Sequence, residues 1–79
     1  MNHNEMFEYL KVVSRMERQF YTAFGRDITS ERIITMSMSI SGLVKVLIDF
    51  KETKDFPISI INSIEKLVSK MRKDLVSIT

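Results

Sequence analysis

Nucleophilic catalysis needs a Ser, Thr or Cys beside a base, most often a His. This chain of 79 residues has one His and no Cys. The imidazole belongs to His3, in a terminal segment expected to fray. Paired carboxylates acting as acid and base are the other common arrangement. The candidates are Glu5 with Glu8, Glu17 alone, and Asp49 with Glu52. They fall on charged helical faces or beside a Lys at helical spacing, as Asp49 does with Lys45. Such carboxylates read as surface ion pairs worth about 0.2–0.5 kcal/mol each. Glu17 flanks an apolar stripe between Val13 and Phe20 and reads as a boundary carboxylate paired with a Lys or Arg. A structural zinc site draws four ligands mainly from Cys and His, which this composition cannot supply. A free terminus with His3 third, after Met1 and Asn2, can chelate copper or nickel; here the placement reads as accidental. The two Gly, Gly25 and Gly42, stand alone and form no phosphate-cradling loop. The sequence therefore implies no catalytic residues, no metal and no cofactor: the protein is not an enzyme on this reading.

The chemistry that remains is binding. Lys11, Arg15 and Arg18 recur at helical spacing, and so do Lys66, Lys70 and Lys73, with Arg72 nearby. Each triplet forms one helix edge. Such an edge can steer an acidic protein partner or neutralise nucleic-acid phosphates; the plain alternative is a solvated face, with Asp74 partly balancing the second triplet. The net charge of +2 and a pI of about 9.1 are mildly basic, well short of a dedicated nucleic-acid binder. The aromatic residues lie in or beside apolar stripes and are not interleaved with Lys and Arg as a base-stacking surface would be.

The elements that position these edges follow from periodicity. Met6, Tyr9, Val13, Met16, Phe20 and Ala23 recur at steps of three and four, with Leu10 and Phe24 alongside. Ile33, Met36, Ile40, Leu43, Leu47 and Phe50 do the same, as do Ile61, Ile64, Val68, Met71, Leu75 and Ile78. Apolar stripes of this period mark amphipathic helices that pack at shallow angles. Two breaks separate them. In FGRDITS, Gly25 is suited to a left-handed helix end, and Asp27, Thr29 or Ser30 to a cap. In KETKDFP, Pro57 suits a first helical turn, with Asp55 as the cap before it. The expected fold is all-α: one domain over 1–79, an antiparallel three-helix unit with helices at about 4–24, 30–53 and 57–77. Short connections make successive helices antiparallel neighbours. There is no uninterrupted apolar run of about 20 residues, so no membrane span is expected. MNHNEMFEYLK lacks the basic and apolar regions of a signal peptide, so a cytoplasmic location is the default.

The second segment carries a further implication. IITMSMSISGLV contains no charge, and Ser and Thr occupy what should be its wet side. Ile34, Val44 and Ile48 lie outside the main stripe. A helix apolar nearly all round is usually buried, and two neighbours in one chain cover only part of it. A chain of this size buries only about 60% of the surface it exposes when unfolded, and without disulfides or metal it has self-association left as support. The segment is therefore expected to meet a second copy or a partner protein through Met36, Ser37, Met38, Ile40, Ser41, Leu43, Val44 and Leu47. Met38, flexible and off the main stripe, suits an adaptable surface. The functional expectation is a small non-enzymatic regulator or adaptor, a helical homodimer whose basic edges select an acidic partner.

The alternation of apolar and hydroxyl residues over 34–41 also admits a strand, followed by helix, turn and helix. That order resembles the ribbon-helix-helix repressors, in which two chains pair one strand each and lay the ribbon in the DNA major groove. The resemblance covers about half the chain and rests on pattern. It implies a dimeric DNA-binding transcriptional repressor, with outward hydroxyls reading base edges. The stretch lacks Arg, Lys, Asn and Gln, the residues of strong base contacts, and the helical count starts before it. The all-helical reading is preferred.

Overall fold

The computed structural model describes residues 3–52 and 56–79, with the side chain of His3 left out. Three helices account for nearly all of it: α1 (His3–Phe24), α2 (Ser30–Glu52) and α3 (Ile58–Ile78). No strand occurs among the described residues. Residues 34–41 lie wholly inside α2, so the ribbon is ruled out. Met36 and Met38, two residues apart, would share a face of a strand; in the helix Met36 is fully buried and Met38 is 67% exposed. Hydroxyls do not oppose the helix here, because two of them bond back to it. Thr35 Oγ1 donates to the Glu31 carbonyl at 3.0 Å, and Ser39 Oγ to the Thr35 carbonyl at 2.9 Å. The second bond satisfies the buried hydroxyl of Ser39 without a partner from another element.

The ends of the helices show which capping expectations were right. Thr29 caps α2: its Oγ1 accepts the Arg32 N–H at 3.2 Å and its carbonyl the Ile33 N–H at 3.1 Å. Gly25 is not left-handed, contrary to expectation. Instead α1 closes by tightening: the Gly25 N–H reaches the Tyr21 carbonyl and the Arg26 N–H reaches Ala23, a shorter-range bond that uses up a terminal carbonyl. Pro57 is the N-cap of α3 rather than a residue of its first turn. Its φ of −58° and ψ of 130° suit the entry, and its carbonyl receives the N–H groups of Ile60 and Ile61. The cap expected at Asp55, the end of helix 2 at residue 53 and the copper-binding terminus at Met1 and Asn2 lie outside the described residues.

α2 is the central element. It packs along both α1 and α3, which touch each other little. Its buried face carries Met36, Ile40, Leu43, Leu47 and Phe50, as the spacing predicts, and adds Ser39 and Val46. α1 contributes Val13, Phe20 and Ala23, and α3 contributes Ile61, Ile64, Val68 and Met71. Gly42 faces α1: a Cβ there would stand 3.1 Å from the Met16 sulfur. Its small size therefore serves the α1–α2 seam, not the approach of a second chain. At one end an aromatic stack closes the core. Phe50 and Phe56 lie nearly parallel with centroids 3.7 Å apart, and Tyr9 meets Phe50 edge-on at 4.8 Å.

The unit is slender, with extents of 40 × 19 × 15 Å and a radius of gyration of 13.3 Å, where a compact chain of this length would have about 12 Å. Its accessible surface of 5564 Å² is about a tenth above that of an ordinary protein of this mass. One thin core then carries the stability. Phe50→Ala, which removes the shared ring of the aromatic stack, is expected to cost about 3–5 kcal/mol, enough to leave the chain largely unfolded by urea titration followed by circular dichroism.

Candidate interaction surfaces

The outer face of α2 leaves three large apolar side chains uncovered. Ile34 is 57% exposed, Met38 67% and Ile48 52%. Ser37, Ser41 and Lys45 lie between them, also exposed, and Val44 is half-buried at one margin. The eight interface residues expected from sequence therefore divide. Met36, Ile40, Leu43 and Leu47 are spent on the core of their own chain, because they belong to the stripe that α1 and α3 cover. Ser37, Met38 and Ser41 face outward, and Val44 shares both environments. Ile34 and Ile48 complete the outer stripe; they were visible in sequence as apolar residues out of phase with the core.

α2 is also long and apolar enough to cross a membrane, with a mean hydropathy of 1.6 over its most apolar window. Helix length and composition cannot separate a span from a core helix. In this fold the apolar content has a use, since α1 and α3 cover one side of it.

The two basic triplets are each brought together but not joined. Lys11, Arg15 and Arg18 border a shallow hollow on α1 with Phe7, Leu10 and Ser14. Lys66, Lys70 and Lys73 border a separate one on α3 with Asn62, Glu65 and Ser69. Asp74 does not balance the second triplet as an ion pair. It accepts a 2.7 Å hydrogen bond from the Tyr21 hydroxyl, while the Lys70 ammonium stands 4.9 Å above the Tyr21 ring. This cluster ties the C-terminal part of α3 to that of α1. Burial, the bond to Asp74, the charge of Asp74 and that of Glu17 together push the Tyr21 hydroxyl up to about 12.

A third cationic feature escaped the sequence reading. The seam between α1 and α2 opens at the Arg26 turn into a trough of about 820 Å³. Arg18, Arg26 and Arg32 line it, over a surface that includes Met16, Ala23 and Met38. None of the three guanidinium groups has an ion-pair partner among the described residues. Glu31 also lines the trough, so these four charges sum to +2 (three positive, one negative). Arg26 and Arg32 belong to no stripe, and they meet Arg18 only because the short α1–α2 turn folds the chain back. A search for like charges flanking a helix break would have found them.

Glu8 pairs with Lys11 at 3.2 Å in solvent. Lys51 and Glu65 link α2 to α3 at 3.1 Å. Lys45 and Asp49 are not within ion-pair distance, and Glu17 is exposed without an ion-pair partner among the described residues. No three His, Cys, Asp or Glu side chains gather to hold a metal among the described residues. Comparisons of the chain with protein-family models, curated proteins and solved structures gave no match.

The Tyr21 cluster gives a pH signature. The folded chain holds that proton more tightly than the unfolded chain, so the contribution is fully present below pH 10 and is lost as pH rises through about 12. Tyr21→Phe is expected to remove this decline. Urea midpoints of the two proteins across that window, taken as a difference, measure it.

Proposed function

We propose that this chain is a small non-catalytic regulator or adaptor that acts by protein–protein binding, as a homodimer closed through the outer face of α2. The carrying observation is the exposed stripe of Ile34, Met38 and Ile48 on the helix that already forms the middle of the core. Ile34 and Ile48 each lie seven positions from Ser41. Laid antiparallel about a two-fold axis at Ser41, each copy sets its Ile34 level with Ile48 of the other, a self-complementary fit. Ser37 and Ser41 let the two backbones come close. The contact runs about 21 Å along the helix and is one helix wide. That is short of the roughly 800 Å² per partner of a standard interface, so the dimer is concentration-dependent. The basic triplets lie on α1 and α3, outside the Ile34–Met38–Ile48 stripe, and select an acidic partner. On this reading α2 is a core and interface helix rather than a membrane span, and the protein works in the cytoplasm.

The alternative is nucleic-acid binding through the same basic edges, without a ribbon. It predicts retarded migration of random duplex DNA at roughly 50 mM salt, weakening as salt rises; our reading predicts no retardation.

Ile34→Glu and Ile48→Glu test the dimer, because both positions are exposed and the fold tolerates charge there. Light scattering at about 100 μM, a concentration at which even a weak micromolar association is well populated, should give a dimer mass for the native chain. The two variants should give monomers of unchanged helicity. A native chain that stays monomeric at that concentration contradicts the proposal. Charge at Ile40 or Leu43 would be uninformative, since both lie in the core.

A further inference from the structure

We infer that the trough between α1 and α2 is a docking site for a short acidic, amphipathic segment of a partner protein. The inference rests on the protein-binding reading above and assigns its partner site. Three observations carry it. The trough is an open channel along a helix–helix seam, the form that accepts a peptide laid lengthwise. Its volume of about 820 Å³ lies within the roughly 300–1,000 Å³ of ordinary ligand sites. Its charges are matched to carboxylates: Arg18, Arg26 and Arg32 have no ion pair of their own among the described residues, and a guanidinium fork takes a carboxylate through two parallel hydrogen bonds.

The rest of the lining selects between classes of acidic partner. Met38 and the half-buried Met16 offer a flexible apolar surface of the kind that adapts to Leu or Ile side chains. Arg and Met are enriched at protein interfaces. No aromatic residue lines the trough, so nothing there stacks a base as nucleic-acid sites do. The α2 wall runs from Glu31 to Ser39, about 12 Å of helix rise, which sets the bound segment at two to three turns if helical. Glu31 on the same wall repels carboxylates at one point, so the segment must place its acids toward the arginines. Met38 belongs to both this trough and the exposed stripe, so the two surfaces meet at that one side chain and a bound segment abuts the dimer contact.

The test is selection of peptides of about twelve residues, roughly three helical turns, from a random display library against the full chain. The selection should enrich peptides rich in Asp and Glu with interspersed Leu or Ile. Arg18→Glu and Arg26→Glu, both at exposed positions, should each weaken the selected peptides by at least about tenfold. Lys66→Glu, on the far hollow of α3, should leave them unchanged. Failure to enrich acidic peptides overturns the inference, and so does binding that survives both reversals or falls equally with Lys66→Glu. Retention of random duplex DNA that is lost with Arg18→Glu and Arg26→Glu, in the absence of peptide binding, reassigns the trough to nucleic acid. Light scattering on the same samples separates the two levels. A dimer that selects no acidic peptide removes this inference alone, while a monomer that selects none removes the binding reading as well.

Discussion

The packing of α2 on both neighbours at once is the interaction on which the rest of this molecule depends. α1 and α3 hardly meet, so without α2 neither has a surface to cover. That constraint makes α2 apolar over an unusually wide arc. Met36, Ile40, Leu43, Leu47 and Phe50 fill the centre of its buried face, and Ser39 and Val46 extend it. Ser39 is tolerated there because its hydroxyl is returned to the Thr35 carbonyl. Gly42 brings Met16 within close range of the α2 backbone. The cost of a central helix is that two neighbours cannot surround it, and the outer arc is left in solvent.

The two ends of the unit are held by different means. At the α3 N-terminal end the Tyr9–Phe50–Phe56 contacts are apolar and geometric. The edge-on contact of Tyr9 on Phe50 adds about 0.5–1.5 kcal/mol beyond burial. At the opposite end the link is polar, from Tyr21 to Asp74 with Lys70 above the ring. Both ends hold at ordinary pH, and the polar end loosens only as the Tyr21 phenol loses its proton on the way to about 12. The same polar end leads into the α1–α2 turn, where Arg26 and Arg32 come together with Arg18. The Tyr21–Asp74–Lys70 link and the cationic trough thus lie in one region of the fold, and the trough floor is made by Ala23 and Ser39 of the packed α1–α2 seam.

Much of this was legible in the sequence. Three stripes with steps of three and four placed α1, α2 and α3 within about a residue at each described end, because one strong period leaves little choice of phase. The excess of apolar residues on α2 also pointed to a second surface. What periodicity could not do was divide that surface correctly. The apolar excess alone assigns Met36, Ile40, Leu43 and Leu47 to a partner surface, although the core stripe consumes them; Ile34 and Ile48, out of phase with that stripe, carry the open face. The trough was illegible for another reason. Arg18 was seen as part of a linear stripe, but Arg26 and Arg32 become its neighbours only through the turn, and no spacing rule within one helix brings them together. Gly25 departs from the left-handed expectation because a helix can also end by tightening, which needs no left-handed residue.

α2 has one face in the core and the other in solvent, the face proposed to take a second chain. Because the chain has no Cys, single thiols report this directly. Met36→Cys and Met38→Cys place a thiol two residues apart, about 200° round a helix but on one side of a strand. Thiol-modification rates should show Met38→Cys reacting rapidly in dilute solution and slowing as protein concentration rises. Met36→Cys should stay protected at every concentration until the chain unfolds. Equal rates at the two positions would contradict the account, because they would place both residues on the same face. A Met38→Cys rate that never changed with concentration would leave the helix in place and deny the second chain.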